Sequence, residues 1–314
     1  MRILILGAGG TGGYFGGRLA QAGLDVTFLV REARGHRLDR DGLRIRSPLG
    51  DADLRVAHLT EPSLAAAAAV QAFDLVILAC KAYDLGSAID AIAPAVGPQT
   101  TVLPILNGLA HYAELDAHFG RERVLGGLCF ISAAVGPEGE ILHLGKPASI
   151  TFGERDGGHL TPRVRAFAEA CERARIDHLA SPTIAQEQWI KYTFLCALAA
   201  ATCLTRAPIG RIVDTDDGRA LINGLYNECL VAAQADGQQI PLAAREKALA
   251  TLLAPGSDLK ASMLRDLEAG RQVEARQIVG DMLARVRQTG VNAPWLMAAL
   301  VHLQAYQLER MARA

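Results

Sequence analysis

The chain has 314 residues, half of them hydrophobic, and a formal net charge of −1 at pH 7. This length is enough for two domains, each with its own core. A near-neutral chain without a basic run argues against nucleic-acid binding, and no apolar stretch approaches the length of a membrane span. The first apolar run ends at Leu6, too early for a signal peptide, so we expect a cytoplasmic protein.

The six cysteines are scattered and lie mostly within apolar runs. No two of them have the C-x-x-C spacing that is typical of zinc or redox sites. We therefore expect reduced thiols that pack as small core side chains, and no metal site.

A glycine-rich motif follows the first predicted strand. Residues 3–6 form a short apolar run, and Gly7, Gly9 and Gly12 come next at G-x-G-x-x-G spacing, ahead of a predicted helix over 14–23. The first glycine allows a tight turn, the second lets backbone approach a pyrophosphate, and the third lets helix pack closely on strand. The motif predicts a dinucleotide-binding loop. The alternative is a glycine-rich turn that binds no ligand.

Arg31 stands at the end of the second predicted strand, residues 26–30, with Arg34 and Arg37 close behind. An acidic residue at this position suits a free ribose 2′-hydroxyl, whereas an arginine suits a 2′-phosphate. Because guanidinium binds phosphate in a planar fork, the sequence favours NADPH over NADH. The alternative is a solvated basic loop.

Polar residues also follow two later strands, which are predicted over 74–79 and 101–106. Lys81 comes after the first of these strands and Asn107 after the second. Parallel sheets bind ligands at the carboxyl ends of their strands, so both residues are candidate ligand contacts. An Asn-Gly pair such as 107–108 is also a common turn. The other elements predicted before residue 181 are short strands within 43–59, a helix over 64–72, and strands at 124–134 and 150–152 that are expected to be antiparallel.

The character of the chain changes after residues 181–182. Glycine becomes less frequent, and helical periodicity continues almost to the end, interrupted by prolines and glycines. We therefore expect an α/β domain over 1–181, built on a parallel sheet, and an all-helical domain over 182–314.

Lys191 is a candidate catalytic residue of the helical half. It shares an i, i+4, i+8 ridge with Leu195 and Ala199, which places its amine along an apolar face. The alternative is an exposed ion pair with Glu187 at i, i+4 spacing, which would contribute little stability.

Two further candidates are Glu274 and Ser262. Glu274 is expected in the first turn of a helix, heading a ridge through Ile278 and Met282. The alternative interpretation of Glu274 is a purely structural role, in which its carboxylate interacts favourably with the helix dipole. Ser262 opens a helical segment, where the alternative is an ordinary helix hydroxyl.

Together these motifs resemble those of the ketopantoate reductases (2-dehydropantoate 2-reductases), and the resemblance covers essentially the whole chain. Its most specific parts are the Trp-x-Lys and the Ser-Met-Leu-x-Asp … Glu segments. The residues that carry it, in order, are Gly7-x-Gly9-x-x-Gly12, Arg31, Lys81, Asn107-Gly108, Glu187-x-Trp189-x-Lys191, Ser262-Met-Leu-x-Asp266 and Glu274.

The resemblance implies a Rossmann domain that binds NADPH, followed by an all-α domain, and reduction of 2-dehydropantoate to pantoate in pantothenate biosynthesis. It implies that Lys191 is the general acid and Glu274 its partner at the substrate hydroxyl. Ser262 and Asn107 would hold the substrate carboxylate, and Lys81 and Asn107 would contact the cofactor. The implied partner is a small 2-oxo acid, with a homodimer left open.

Three positions depart from the family pattern. The family usually places asparagines four and eight residues after its lysine, where this chain has Leu195 and Ala199, and Val279 replaces the asparagine of an Asn-Gly pair. We therefore expect a more apolar pocket around the substrate's tail. Two alternatives follow: an NADPH-dependent reductase of a different, more apolar 2-oxo acid, or a non-catalytic NADPH-binding sensor.

Overall fold

The computed structural model describes residues 1–313 and divides into two compact units. The first contains residues 1–106 and 111–184, and the second contains residues 107–110 and 185 onward. The sequence places the boundary near residue 181, and the observed division lies between Ile184 and Ala185. Segment 107–110 belongs to the second unit because of contacts between distant parts of the chain, which no local pattern reveals.

The first unit is an α/β domain, as expected, and it holds every strand found in residues 1–313. Five parallel strands form one sheet in the order β5-β2-β1-β6-β7. A second sheet has the order β10-β9-β3-β4, and β8 pairs with β9 in the antiparallel arrangement predicted from the sequence. The strands are β1 (Arg2–Leu6), β2 (Asp25–Leu29), β3 (Leu43–Arg46), β4 (Ala52–Leu54), β5 (Ala57–Leu59), β6 (Leu75–Leu78), β7 (Thr101–Pro104), β8 (Gly126–Val135), β9 (Ile141–Gly153) and β10 (Asp177–Ala180).

Helices connect the strands of the first unit. Strands β1, β6 and β7 are almost wholly buried, which explains why each appears in the sequence as a continuous apolar run rather than an alternating one. The helices are α1 (Gly10–Gln21), α2 (Glu32–Asp41), α3 (Glu61–Val70), α4 (Leu85–Ile92), α5 (His111–Phe119) and α6 (Pro162–Arg173).

Helix α1 packs against both sheets, and glycines make this close packing sterically feasible. A Cβ added at Gly16 would lie 2.7 Å from the Phe28 ring of the parallel sheet. A Cβ added at Gly17 would lie 2.7 Å from Ile45 Cδ1 of the second sheet. Side chains larger than hydrogen would push the sheets apart, so the glycines fix the distance between α1 and the strands.

The second unit is all-helical in its described part. Several of its breaks fall at prolines and glycines that the sequence marks as interruptions, whereas the break between residues 213 and 218 contains neither residue type. A π-helical turn over Arg276–Gly280 precedes the helix that begins at Asp281. Its helices are α7 (Ile184–Thr205), α8 (Ile209–Val213), α9 (Gly218–Ala235), α10 (Leu242–Leu252), α11 (Ser262–Glu268), α12 (Asp281–Gln288) and α13 (Pro294–Ala312).

Neither a membrane span nor a metal cluster is found among residues 1–313. No helix there is long and apolar enough to cross a bilayer, and no group of three or more His, Cys, Asp or Glu side chains could hold a metal ion. None of the six cysteines is in a disulfide, and all except the partly exposed Cys80 are buried, in accord with their expected role in the core.

The substitution Gly16→Ala tests the packing of α1. Although alanine favours a helix, the added methyl would meet Phe28 and Ile5 at less than 3 Å, so the free energy of unfolding should fall by about 1–3 kcal/mol. Gly86→Ala on α4 is the matched control, because a Cβ there meets no atom within 4 Å. It should be neutral or stabilise by up to about 1 kcal/mol. Urea denaturation measures both; equal stability of the two variants would contradict the close packing.

Candidate functional site

The three glycines of the loop after β1 each have a distinct structural role. Gly7 has φ +86, a left-handed conformation that favours glycine. Gly9 is the N-cap of α1, and a Cβ there would point into open space. A Cβ at Gly12 would lie 2.5 Å from the Gly7 carbonyl oxygen. The first-turn N–H groups of α1 have no acceptor within the helix, so the loop fits the pyrophosphate of a dinucleotide.

Arg31 and Lys81 follow strands that flank β1 in the parallel sheet. Arg31 is the N-cap of α2 and is exposed. Lys81 is partly exposed and precedes a 3₁₀ turn over Ala82–Asp84, after β6. Both residues therefore lie at the sheet edge that carries the glycine loop, as the sequence predicts.

Arg34 has a structural contact that the sequence does not reveal. Its Nη1 donates a hydrogen bond to the Gly139 carbonyl oxygen at 2.7 Å, in the turn between β8 and β9. Burial, followed by the charges of Arg37 and Arg44, lowers the pKa of Arg34. Because Arg34 bonds the hairpin, Arg31 and the exposed Arg37 are better placed to meet a ligand phosphate from solvent.

Lys191 is a buried amine on α7. Lys191 is only 9% exposed, and its Nζ donates a hydrogen bond to Asn107 Oδ1 at 3.1 Å. Gly108 follows with φ +78, and a Cβ there would lie 3.0 Å from the Gln277 carbonyl oxygen. The Asn-Gly pair is thus both a turn and a contact of the lysine. The alternative interpretation, an exposed ion pair with Glu187, does not fit, because Lys191 is buried.

Glu274 is 5% exposed and lies immediately before the helix instead of in its first turn. The first step of the predicted ridge, from Glu274 to Ile278, keeps α-helical spacing, because the Ile278 N–H donates to the Glu274 carbonyl oxygen at 3.0 Å. The step from Ile278 to Met282 departs from it, because residues 276–280 form a π turn. The Asp281 N–H donates to the Arg276 carbonyl, an i→i−5 bond, whereas the ridge assumed α-helical bonding. π turns occur frequently at functional sites.

Ser262 is the first residue of α11, between the buried Ala261 and Met263, and its own side chain is exposed. Its role as a substrate contact stays a prediction. Four candidate residues lie in the second unit: Asn107, Lys191, Ser262 and Glu274. Of these, Lys191 and Asn107 are joined by a direct hydrogen bond.

Tyr192 is a residue that the sequence argument missed. It is 1% exposed, and its hydroxyl lies 2.7 Å from the Ile278 carbonyl oxygen and 2.9 Å from Asp281 Oδ2. Burial and the Asp281 carboxylate raise the pKa of Tyr192 well above its usual range. A buried aromatic next to Lys191 has the sequence pattern of an ordinary core residue, so no signal marked it.

The three positions that depart from the family pattern differ in accessibility. Ala199 is 1% exposed and Val279 is 0% exposed, and both belong to the helical core. Leu195 is partly exposed. The expectation that all three line an apolar pocket is therefore corrected: Ala199 and Val279 fill the core, and Leu195 is accessible.

Comparison with known proteins gives two family matches. Residues 3–157 match the family described as Ketopantoate reductase PanE/ApbA, and residues 183–307 match Ketopantoate reductase PanE/ApbA C terminal. The chain is 37% identical to Uncharacterized oxidoreductase YkpB of Bacillus subtilis, covering 99% of this chain and 100% of that protein. It is 29% identical to a 2-dehydropantoate 2-reductase of Mesorhizobium japonicum, covering 99% of each chain.

Solved structures show the same relationship. A 2-dehydropantoate 2-reductase from Geobacter metallireducens superposes with a TM-score of 0.86 at 28% identity, covering 97% of this chain and 99% of that one. One from Methylococcus capsulatus has the same TM-score and identity, covering 99% of this chain and 98% of that one. The chain therefore belongs to the ketopantoate reductase family, whose members are NADP-dependent oxidoreductases acting on CH–OH groups.

Proposed function

We propose that this chain reduces 2-dehydropantoate to pantoate with NADPH, a reductive step of pantothenate biosynthesis. The observation that carries the proposal is the buried Lys191, whose Nζ donates to Asn107 Oδ1 at 3.1 Å. Relatives named 2-dehydropantoate 2-reductase, which match almost the full chain, support the choice of substrate.

Lys191 acts on the charge that develops during reduction. NADPH, when bound, supplies hydride to the carbonyl carbon of the 2-oxo acid, and negative charge builds on the carbonyl oxygen. The Lys191 ammonium stabilises that charge and then donates a proton to the oxygen. Asn107 accepts one N–H of the ammonium and so fixes its direction in advance. Preorganised donors stabilise a transition state without reorganising during the reaction.

Glu274 and Ser262 complete the proposed set. Glu274 is a buried carboxylate that would accept a hydrogen bond from the hydroxyl formed by reduction. Ser262 carries an exposed hydroxyl at the start of α11, suited to donate to the substrate carboxylate together with the Asn107 amide. The glycine loop, Arg31 and Lys81 would hold the cofactor.

A second candidate is reduction of a different 2-oxo acid with a more apolar tail. The observation that favours it is the partly exposed Leu195, at a position where the family usually has an asparagine.

The pairing of Lys191 with Asn107 supports catalysis over a non-catalytic NADPH sensor, because cofactor sensing does not require a buried ammonium that is bonded in this way.

The substitution Lys191→Ala tests the general acid. It should lower kcat by at least about 100-fold, because proton donation and charge stabilisation are both lost, while NADPH still binds. The measurements are loss of NADPH absorbance with 2-dehydropantoate and titration of cofactor fluorescence. Lys247→Ala, at an exposed lysine on α10, is the control and should keep wild-type turnover. Near-normal turnover of Lys191→Ala would contradict the assignment.

The substitution Arg31→Ala tests the preference for NADPH. Loss of a charge-assisted contact of roughly 1.5–3 kcal/mol corresponds to about a 10- to 150-fold weaker Kd for NADPH. NADH lacks the 2′-phosphate and serves as the internal control, so its Kd should stay nearly constant. Equal weakening of both cofactors, measured by fluorescence titration, would show that Arg31 does not contact the 2′-phosphate.

The ratio of kcat/KM for 2-dehydropantoate and 2-oxo-3-methylbutanoate tests the substrate. The second compound keeps the branched carbon but lacks the hydroxyl. An apolar contact such as Leu195 discriminates weakly against a missing hydroxyl, so we expect a ratio of about 100 or less. A ratio above about 10⁴ would mean that other residues bond the hydroxyl. A ratio near or below unity would favour the second candidate function.

A further inference from the structure

Tyr192 connects two residues of the proposed catalytic set, Lys191 and Glu274. It is joined to Lys191 by a peptide bond, and its hydroxyl donates to the Ile278 carbonyl oxygen at 2.7 Å. The N–H of Ile278 in turn donates to the Glu274 carbonyl oxygen at 3.0 Å. Two hydrogen bonds through one residue therefore lead from the neighbour of the lysine to the backbone of the glutamate.

We propose that Tyr192 is a positioning residue, whose hydroxyl fixes the π turn and thereby the direction of Glu274 relative to Lys191. The proposal rests on the proposed function, in which these two side chains act on the same substrate oxygen. Tyr192 itself contacts neither substrate nor cofactor in this account.

The π turn needs such an anchor. It contains one residue more than an α-helical turn, and conversion to regular α-helix would rotate the residues before it by about 100° around the helix axis. Glu274 lies two residues before Arg276, where this turn begins, so its carboxylate would leave its position. The hydroxyl of Tyr192 bonds Ile278 inside the turn and approaches Asp281 at its end, which favours the π arrangement.

The ring of Tyr192 lies next to a further residue of the proposed catalytic set, Asn107. A Cβ placed on Gly108 would lie 3.7 Å from Tyr192 Cε2, so the ring lies beside the turn that presents Asn107. Tyr192 is 1% exposed, and water therefore cannot replace its hydroxyl without rearrangement.

A polar network holds the hydroxyl in place. Asp281 Oδ2 accepts from Arg285 Nε at 2.8 Å, and the Arg285 guanidinium lies 5.4 Å from the centre of the Trp189 ring. Trp189 Nε1 donates to Asp236 Oδ2 at 2.8 Å. Buried polar networks that are well bonded specify one arrangement of the elements they join, here α7 and the segment that begins with the π turn.

The test is Tyr192→Phe, which keeps the ring and removes the hydroxyl. Because the buried Ile278 carbonyl loses a donor, kcat/KM should fall at least about 5-fold, while the Kd for NADPH is unchanged. Tyr226→Phe is the matched control. Tyr226 is equally buried in the same unit; kcat/KM of this variant should stay within about 2-fold of wild type. Equal losses in both variants would overturn the proposal.

A double-mutant cycle separates positioning from general stability. If Tyr192 acts through Glu274, then Tyr192→Phe should change kcat/KM by less than about 2-fold once Glu274→Gln is present. Two fully multiplicative effects would show that Tyr192 acts independently of Glu274, and the proposal would fail.

Hydrogen exchange gives a readout that does not depend on turnover. Amides of residues 274–282 should exchange at least about 5-fold faster in Tyr192→Phe than in wild type, and at the wild-type rate in Tyr226→Phe. Unchanged exchange in Tyr192→Phe would refute the anchoring role. A wild-type enzyme that reduces no 2-oxo acid would instead refute the proposed function, while this exchange experiment would still decide whether Tyr192 fixes the turn.

Discussion

The burial of the Lys191 amine is the constraint on which the proposed chemistry of the helical unit depends. A buried ammonium is costly unless polar groups replace its water, and Asn107 Oδ1 supplies such a group at 3.1 Å. Asn107 follows β7 closely in the chain, yet segment 107–110 belongs to the helical unit. The bond therefore lies within the helical unit and joins Asn107 to the long helix α7. In the proposed reaction, the same low exposure would make the charge more effective in stabilising an oxyanion.

A different constraint shapes the nucleotide-binding unit. Helix α1 lies close to two sheets, and its glycines at i, i+4 spacing face them on both sides. The sequence signature of the loop ends at Gly12, but the requirement for small residues continues through Gly13, Gly16 and Gly17. A Cβ at each of these later glycines would collide with side chains of the strands, so they are needed for packing. The loop and the helix are thus both rich in glycine, but for different physical reasons. In the loop, glycine leaves room for phosphate, and in the helix it allows the strands to approach closely.

The elements that the sequence predicts well are those set by local patterns. The apolar runs at β1, β6 and β7 and the hairpin around residues 136–139 follow from periodicity and turn residues. The π turn could not be predicted, because Glu274, Ile278 and Met282 have α-helical spacing and the extra residue is favoured by contacts distant in sequence. Likewise, the burial of Ala199 and Val279 depends on helix packing, and a substitution pattern alone does not distinguish a pocket wall from core. Strand β10, which alternates between exposed and half-buried positions, left too weak a pattern to be seen.

The reaction proposed for this chain transfers hydride from NADPH to the 2-oxo carbon of 2-dehydropantoate. The most direct measurement uses NADPH labelled with deuterium at the transferred position of the nicotinamide ring, incubated with wild-type enzyme and 2-dehydropantoate. Mass spectrometry of the product should find pantoate with one deuterium, bonded to C2. Unlabelled pantoate, or no pantoate at all while the cofactor remains bound, would contradict the account.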